Sequence, residues 1–380
     1  MSINHLRDTD GESLAVTRHG AKKVSLMGFR NYVSLDLELS PGFNIISGPN
    51  AQGKTNFLES LYLLATTRLL RGQKDSEAIL DGHDVGKACA ELLSTNTELS
   101  VTLHKGTRKR AAINGLNLPR ASDLIGRMPA VSVSTTDLAI VRGEPADRRM
   151  FLDLELSGLH ASYLRHLTLY KRALEQRNAL LKDSRESMQP ASAFEPWELQ
   201  IAQHGAAIRH ARTLYIWSLS PLSKEAHREM SAGESLHLAY VLRDESEMEE
   251  QAIDALAATR YSDIGRGSTS IGPHRDDLQI DVGGRDARLF GSQGQQRTSV
   301  ISLKLAAMEH AKDQLGGPPL LLLDDIFSDL DARRRELLVE RVGALKGQAV
   351  LTCTEAESAG KALLNEASVF AVHEGRIERR

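Results

Sequence analysis

Residues 48–55 read Gly48-Pro49-Asn50-Ala51-Gln52-Gly53-Lys54-Thr55, which matches the phosphate-loop pattern of two spaced glycines, a lysine and a hydroxyl residue. The glycines let the backbone curl so that successive N–H groups point at phosphate oxygens. Lys54 adds a positive charge near the β- and γ-phosphates, and Thr55 offers a hydroxyl to Mg²⁺. An apolar strand pattern precedes the loop and a helix pattern follows it, so the sequence predicts an ATP-type phosphate site.

A second motif, residues 320–325, reads Leu-Leu-Leu-Leu-Asp-Asp. Four leucines in a row predict a parallel strand that is covered on both faces. Because ligands bind at the carboxyl ends of such strands, Asp324 is predicted to hold Mg²⁺ through water, and Asp325 to orient or deprotonate the attacking water. The alternative is a strand that ends in a solvated acidic turn, and the phosphate loop makes this the weaker interpretation.

A third motif lies upstream of the acidic strand and contains Ser292, Gln293, Gly294 and Gln295. A serine hydroxyl and free amides at a helix N-terminus form an anion site. In ABC-type ATPases a serine–glycine–glutamine signature at this place binds the γ-phosphate of a nucleotide held by the other subunit. The alternative is an ordinary capped helix start.

A fourth motif follows the acidic strand directly. Ser328 and Asp331 stand where ABC-type ATPases carry the D-loop, the segment that lies across their dimer interface. A plain helix cap is the alternative interpretation of this segment.

The spacing of these motifs defines the predicted fold. About 270 residues separate the phosphate loop from the acidic strand, more than in transporter ATPases, so a sizeable insert lies between them. Residues 80–135 show antiparallel strand patterns, and residues 150–230 a helical pattern that Pro190, Pro196 and Pro221 are predicted to interrupt or bend. Arms of about 25 residues predict a short helical hairpin. We predict an α/β fold: an ABC-type ATPase head, with a phosphate-loop core and an antiparallel β subdomain, plus a mostly helical second lobe.

Composition argues against several classes of protein. The two cysteines, Cys89 and Cys353, are far apart, which favours a reducing, cytoplasmic setting over a disulfide framework or zinc site. The sequence contains no apolar run long enough to span a membrane. A net charge of −3 gives no bulk basicity, so any nucleic-acid surface must be local. Candidate basic patches are Lys105, Arg108, Lys109 and Arg110, then Arg148 and Arg149, then Arg333, Arg334 and Arg335.

From about Val24 to the C-terminus the sequence resembles the RecF family of DNA-repair ATPases. The resemblance is carried by Phe29-Arg30-Asn31-Tyr32, the phosphate loop and its following helix, residues 148–153 (RRMFLD), residues 272–277 (GPHRDD), residues 292–297 (SQGQQR) and residues 320–331. The order and spacing of the last three motifs are highly specific, whereas the phosphate loop alone is not.

The resemblance implies a DNA-stimulated ATPase that uses ATP and Mg²⁺ and forms an ATP-dependent homodimer. Such a dimer clamps DNA at gaps or junctions, and with RecR and RecO it helps load RecA, while slow hydrolysis releases the DNA. By position, Lys54, Asp324 and Asp325 are the catalytic set, and Thr55 and Asp324 hold the metal. Arg30 and Asn31 lie where such heads approach the nucleotide, and Arg68 or Arg71 could face phosphate or DNA. His274 is predicted to shape a turn rather than to act in catalysis.

We predict four segments along the chain. Residues 1–20 are a flexible extension, residues 21–150 the first part of the ATPase lobe, residues 151–260 the helical lobe, and residues 261–380 the second part of the ATPase lobe. Two family features are missing from the pattern. No glutamine can be placed in the Mg²⁺-contacting loop near residues 134–138, and residues 352–354 (TCT) stand where transporter ATPases carry a histidine.

Other functions remain as alternatives, each with its own requirement. Another chromosome-maintenance head would carry long coiled coils, and a transporter motor would have closely spaced motifs. A phosphate-loop kinase would need no signature, and a related nuclease would need an added acidic metal cluster.

Overall fold

The computed structural model describes residues 18–70, 74–231, 233–246 and 248–380. Most of the predicted N-terminal extension, and Arg71, therefore lie outside the described residues. The strands are β1 (Ala21–Phe29), β2 (Tyr32–Glu38), β3 (Phe43–Ser47), β4 (Val85–Leu92), β5 (Glu98–His104), β6 (Arg110–Ile113), β7 (Leu116–Asn117), β8 (Ala130–Ser134), β9 (Leu236–Val241), β10 (Asp277–Val282), β11 (Arg285–Asp286), β12 (Leu320–Asp324), β13 (Ala349–Cys353), β14 (Ser368–His373) and β15 (Arg376–Arg379). The helices are α1 (Lys54–Thr66), α2 (Ala139–Arg142), α3 (Pro145–Leu159), α4 (Ala161–Asp183), α5 (Ala191–Met230), α6 (Glu249–Arg266), α7 (Ala287–Phe290), α8 (Gln293–Leu315), α9 (Ala332–Ala344) and α10 (Lys361–Glu366).

A mainly parallel sheet forms the centre of the ATPase lobe, in the order β15-β14-β3-β13-β12-β8. The prediction that the leucine strand is parallel and covered on both faces is confirmed. β12 pairs in parallel with both β13 and β8. Successive side chains of a strand point to opposite faces, so Leu320 and Leu322 join one apolar cluster and Leu321 and Leu323 join another.

An antiparallel sheet, in the order β2-β1-β4-β5-β6-β7, packs against α1. Helix α1 is buried on most sides because it lies between this sheet and the parallel one, and Phe57, Leu58, Leu61 and Leu64 are all fully buried. A helix with apolar residues on most of its sides needs such cover. The predicted antiparallel β subdomain is therefore present, and it fixes α1 and the loop that precedes it.

Helices α4 and α5 form the predicted hairpin. The first arm has 23 residues, close to the predicted length of about 25, but the second has 40 and is much longer than predicted. Pro190 is the N-cap of α5. Pro196 was predicted to separate the two arms and Pro221 to bend or break the second arm, but neither proline ends a helix, since both lie inside α5. Each proline is exposed. The carbonyls that lose their helical N–H partners belong to the exposed residues Ser192 and Trp217, so water can satisfy them and the helix continues.

The helical lobe also contains a small antiparallel sheet, β11-β10-β9. Strand β9 comes from the segment predicted to be helical, and its partner β10 comes from the segment assigned to the ATPase lobe. The proposed boundaries at residues 150 and 260 fall inside α3 and α6. The lobe is thus completed by residues far apart in the sequence.

Two motifs of the family resemblance, residues 148–153 and 272–277, meet in the core of this lobe. Arg209 of α5 forms bidentate contacts with Asp276 and Asp244, with N···O distances of 2.6–2.9 Å. Arg212 of α5 donates to Asp153 at 2.7 Å. Breaking one partner of a buried ion pair leaves an uncompensated charge, so these arginines hold α3, α5 and β10 in one arrangement.

Arg148 and Arg149 are part of the same core, not a surface patch. Arg148 is buried and contacts both carboxylate oxygens of Asp277, at 2.7 and 2.9 Å. Arg149 donates to the carbonyl of Asp276 at 2.7 Å. The candidate DNA patch at these two residues is therefore removed from consideration.

His274 shapes the turn that leads into β10, as predicted. Its Nδ1 lies 2.6 Å from the Tyr170 hydroxyl and its Nε2 lies 3.0 Å from the carbonyl oxygen of Thr269. Burial lowers the pKa of His274 to about 4, with Arg275 and Arg149 acting in the same direction. The imidazole is therefore neutral at pH 7 and serves as a hydrogen-bonding link between α4 and the turn.

Acidification is expected to destabilise the protein through this histidine. Below its ordinary pKa of 6.5 the unfolded chain takes up a proton that the folded state does not bind until about pH 4. Between pH 7 and pH 5 the free energy of unfolding is expected to fall by about 2 kcal/mol from this group. Urea denaturation of the wild type and of His274→Gln at both pH values isolates the effect. An equal loss in the two proteins would show that His274 is not its source.

Within the described part of the chain, every helix is too short or too polar to cross a bilayer.

Candidate nucleotide-binding site

The phosphate loop joins the end of β3 to the start of α1. Gly48 and Gly53 have φ values of 155° and 120°, where a side chain is strained. A Cβ atom on Gly48 would lie 2.5 Å from the carbonyl oxygen of Val372, and one on Gly53 would lie 2.7 Å from Asn31 Nδ2. Neighbouring atoms leave no space for a side chain at either position, so both residues have to be glycine. Pro49, Asn50 and Ala51 form the exposed tip between them, where a phosphate can approach the backbone.

The outer side of the loop is held by the turn between β1 and β2. Asn31 Nδ2 donates to the carbonyl of Gln52 at 2.9 Å, and the Tyr32 hydroxyl donates to the carbonyl of Gly53 at 2.9 Å. Gln52 Oε1 accepts from the backbone N–H of Glu374 at 2.7 Å. Asn31 was predicted near nucleotide, and the structure places its amide on the loop backbone. The role of Tyr32 was missed, although this residue lies within the quoted Phe29–Tyr32 motif.

Arg30 is directed toward α1. Its Nε and Nη2 atoms contact the two carboxylate oxygens of the buried Glu59 at 2.7 and 3.1 Å. Its Nη1 donates to the carbonyl of Glu77 at 2.9 Å. Bidentate arginine–carboxylate pairs fix geometry well, so this pair ties the β1–β2 turn to the helix that follows the loop. Arg68, one of the two arginines proposed to face phosphate or DNA, is exposed just after α1.

Lys54 lies folded back over the loop. Its Nζ donates to the carbonyls of Gly48 and Pro49 at 2.6 and 2.9 Å. Burial lowers the pKa of Lys54, and the nearby Asp325, Cys353 and Asp324 oppose this effect. The ammonium group is thus held at the mouth of the loop by neutral oxygens that an incoming phosphate can replace.

Thr55 and Asp324 come together although they are 269 residues apart in sequence. Thr55 Oγ1 donates to Asp324 Oδ1 at 2.9 Å. A hydroxyl and a carboxylate beside a phosphate loop are the hard oxygen donors that Mg²⁺ takes, alongside water and phosphate oxygens. The donor set therefore fits the predicted metal, which would neutralise charge on the phosphates.

Asp325 follows Asp324 in a left-handed conformation, with φ of 51°. Its backbone N–H donates to Thr352 Oγ1 at 3.0 Å, and its carbonyl accepts from Ser328 Oγ at 2.8 Å. This turn directs the chain away from the strand, so Asp324 and Asp325 occupy different positions at the sheet edge. Ser328, the first D-loop residue, thus contacts the acidic turn.

The end of β8 borders the same edge, at the place where no metal-contacting glutamine was found. Ser134 pairs in register with Asp324. Its hydroxyl lies 2.7 Å from Thr136 Oγ1, and its backbone N–H donates to Asp137 Oδ2 at 2.7 Å. Small hydroxyl side chains therefore stand beside the acidic strand.

The signature motif begins α8 and is held by the helical lobe. Ser292 is the N-cap: its Oγ accepts from the N–H of Gln295 at 3.2 Å, and Gln295 Oε1 accepts from the N–H of Ser292 at 2.7 Å. Gln295 Nε2 donates to Glu234 at 2.8 Å. Ser292 and Gln293 are exposed, and Gly294 is partly exposed. The motif thus presents a helix N-terminus outward, while the phosphate loop belongs to the other lobe.

Asp331 is the N-cap of α9. Its Oδ1 accepts from the N–H of Arg334 at 2.9 Å. Within one chain, Asp331 therefore acts as a plain helix cap. Its side chain is 56% exposed, so a partner molecule can still contact it.

A phosphate loop between a parallel strand and a helix, two acids at the end of β12 in the same sheet and a capped signature helix on a second lobe define an ABC-type ATPase head. The family model described as the RecF/RecN/SMC N-terminal domain matches residues 21–378. A DNA replication and repair protein RecF from Symbiobacterium thermophilum is 39% identical over 346 residues, which cover 88% of this chain and 91% of that protein. One from Agathobacter rectalis is 37% identical, with 94% and 98% covered. The chain belongs to the RecF family.

Solved structures agree with this assignment. The recombination mediator protein RecF with ATP, in the RecFOR pathway, is 28% identical with a TM-score of 0.89, and 97% of this chain and 100% of that chain are covered. The Smc head domain of Pyrococcus furiosus is 15% identical with a TM-score of 0.56, and 95% of each chain is covered. The second likeness shows the head fold alone.

Proposed function

We propose that this protein is an ATP-dependent DNA-binding protein of recombinational repair. Two copies enclose ATP and Mg²⁺ between the phosphate loop of one and the signature of the other, and the dimer clamps DNA at gaps or single-strand to double-strand junctions. In the cytoplasm it acts with RecR and RecO to help load RecA. DNA stimulates a slow ATP hydrolysis, which releases the clamp. Membership of the RecF family and the likeness to RecF bound to ATP support this proposal.

Hydrolysis follows from the groups at the sheet edge. Lys54 and the loop amides bind the β- and γ-phosphates, and Thr55 and Asp324 would hold Mg²⁺. Asp325 accepts a proton from water as the water oxygen attacks the γ-phosphorus. A bond forms between that oxygen and phosphorus, the bond to the bridging oxygen breaks, and ADP and phosphate are released.

The proposed dimer interface includes the exposed signature motif. Its N-terminal amides and Ser292 open outward from a helix of 23 residues, so the positive end of that helix is free to meet an anion from another molecule. Beside it, Leu289 and Phe290 are 71% and 66% exposed. Exposed apolar side chains next to a polar anion site are typical of a surface that is covered by a partner.

A groove of about 760 Å³ between the two lobes supports DNA as the ligand. Arg120 and Arg127 line one wall, and Arg165 of α4 lines the other. All three are exposed, against a single acid in the lining, Asp123. Ala161 places the N-terminus of α4 in the same groove. Arginines and a helix N-terminus are the groups that contact a phosphodiester backbone.

Three of the other basic candidates are less suitable. Lys109 forms an ion pair with Asp75 at 2.9 Å. Arg334 and Arg335 donate to backbone carbonyls of their own neighbourhood, those of Met230, Phe327 and Leu330. These side chains support local structure, whereas the groove presents three arginines at one place.

Light-scattering mass of the Asp325→Asn variant tests the proposed assembly. A monomer is expected without nucleotide and a dimer with ATP and Mg²⁺, and a short gapped duplex should remain bound to the dimer. Ser292→Arg serves as the matched variant, because an arginine at the signature should block dimerisation without changing the phosphate loop. A monomer under every condition would overturn the paired-site mechanism.

DNA binding is expected to weaken steeply with salt, since phosphate contacts release counterions. Each contact contributes a slope of about −0.9 in log K against log salt. The double variant Arg120→Glu with Arg165→Glu should therefore lower the slope by about 2 and weaken binding. Arg266→Glu, at an exposed arginine on α6, is the control for one such charge reversal outside the groove, and each single groove variant is compared with it. Fluorescence anisotropy at several salt concentrations measures the affinity for DNA and the salt slope of each variant. Equal slopes in the wild type and the double variant would remove the groove from the DNA surface.

A further inference from the structure

Thr352 lies at the carboxyl end of β13, directly beside the acidic strand. It pairs in parallel register with Asp324 and is 1% exposed. Transporter ATPases carry a histidine in this region, and the sequence alone assigned no role to the threonine. A buried hydroxyl at the edge of the proposed catalytic site therefore has to be explained by its contacts.

The hydroxyl of Thr352 contacts both acids at once. Thr352 Oγ1 donates to Asp324 Oδ1 at 2.8 Å, and it accepts from the backbone N–H of Asp325 at 3.0 Å. A hydroxyl has one donor and two acceptor positions, so these two bonds are compatible with each other. Residue 352 thus links the side chain of one acid to the main chain of the next.

Each bond fixes a different property. Asp325 has a φ of 51°, and the left-handed region is uncommon for a residue other than glycine. The bond from its N–H holds that turn, and hence the origin of its side chain. Asp324 Oδ1 is shared by Thr352 and Thr55, whose hydroxyl lies 2.9 Å away. If the Thr55 hydroxyl were to bind a metal instead, Thr352 would still donate to this oxygen.

We propose that Thr352 is a positioning residue for both acids: it orients the Asp324 carboxylate for Mg²⁺ and holds the Asp325 turn for the attacking water. The inference rests on the proposed ATP hydrolysis. It assigns to one threonine a contact with the carboxylate of Asp324 and a contact with the backbone of Asp325.

The variants Thr352→Val and Thr352→Ser test the assignment. Valine has nearly the same shape as threonine and lacks the hydroxyl, whereas serine keeps the hydroxyl. Val350→Ala is the matched control, since Val350 is buried two residues earlier on the same face of β13 and has no side-chain hydrogen bond to lose. Steady-state ATPase assays give kcat and KM. Calorimetry gives ATP affinity with Mg²⁺ and with EDTA, and thermal unfolding reports stability.

Thr352→Val is expected to lower kcat by about 100-fold, the scale of a misplaced catalytic group. Its ATP affinity in EDTA should match the wild type, but the gain in affinity on adding Mg²⁺ should be reduced. Thr352→Ser should restore most of kcat and the Mg²⁺ response. Val350→Ala should lose stability but keep the wild-type kcat and the wild-type Mg²⁺ response.

Two results would overturn the inference. One is a Thr352→Val variant with wild-type kcat and Mg²⁺ response. The other is an equal loss in Thr352→Ser, Thr352→Val and Val350→Ala, which would reduce Thr352 to a packing residue. If the wild type itself hydrolyses no ATP, the proposed function fails, and the Mg²⁺-dependent affinity still decides the role of Thr352 toward Asp324.

Discussion

Lys54→Met is expected to abolish measurable ATP binding and ATP-driven dimerisation. Methionine has a similar length but no charge, so the γ-phosphate loses its cationic partner, and the carbonyls of Gly48 and Pro49 lose their donor. A lost charge-assisted contact costs about 1.5–3 kcal/mol, and two phosphates are affected. Two such contacts together contribute about 3–6 kcal/mol, so the expected loss of affinity is roughly 100- to 10,000-fold, enough to take ATP binding below detection. Calorimetric titration with ATP and Mg²⁺ measures it, and light scattering reports the dimer.

Lys105→Met is the control for removing one positive charge, because Lys105 is exposed in the β subdomain after β5. It should bind ATP as the wild type does. If Lys54→Met bound ATP within about threefold of the wild type, then the loop amides alone would hold the nucleotide. The role predicted for Lys54 would then be wrong.

Asp325→Asn should separate binding from chemistry. Asparagine keeps the size of the side chain and the backbone bond to Thr352, so the turn is expected to persist. It cannot accept a proton from the attacking water as a carboxylate does. General-base catalysis contributes roughly 100- to 10,000-fold, so kcat should fall by that order while ATP affinity and dimerisation remain. Single-turnover hydrolysis in the presence of gapped DNA measures the chemical step.

Asp313→Asn is the matched control, since Asp313 is an exposed acid on α8 near the end opposite the signature. It should hydrolyse ATP at the wild-type rate. An Asp325→Asn variant that turned over as fast as this control would mean that another group activates the water. The acid assigned to that step would have to be sought elsewhere on the sheet edge.

Several structural features were predictable because they depend on neighbours in sequence. The strand, loop and helix around residues 43–66 were predicted from apolar periodicity and glycine spacing, and they are confirmed. The leucine strand ending in two acids was predicted from its four apolar residues, and it too is confirmed. Ser292 was a recognisable N-cap because its bond to Gln295 spans three residues. The chemical roles of these residues stay predictions that the variants above test.

Other structural features could not be predicted from the spacing of residues in the sequence. The exposure of Pro196 and Pro221, which lets α5 continue, depends on which side of the helix meets the rest of the lobe. The pairing of Arg148 with Asp277 joins residues 129 positions apart and converts a basic dipeptide into a core contact. In each case the local pattern was consistent with two outcomes, and packing selected one.

The sequence by itself determined the class of ATPase head, the phosphate loop, the acidic strand and the signature helix. Each of these is a short run whose backbone hydrogen bonds and side-chain periodicity are local. Only the tertiary structure decided that Thr352 contacts both acids, that Arg30 binds Glu59 and that three arginines line one groove. Those contacts depend on which strands and helices become neighbours, and burial of apolar faces over the whole chain determines that choice.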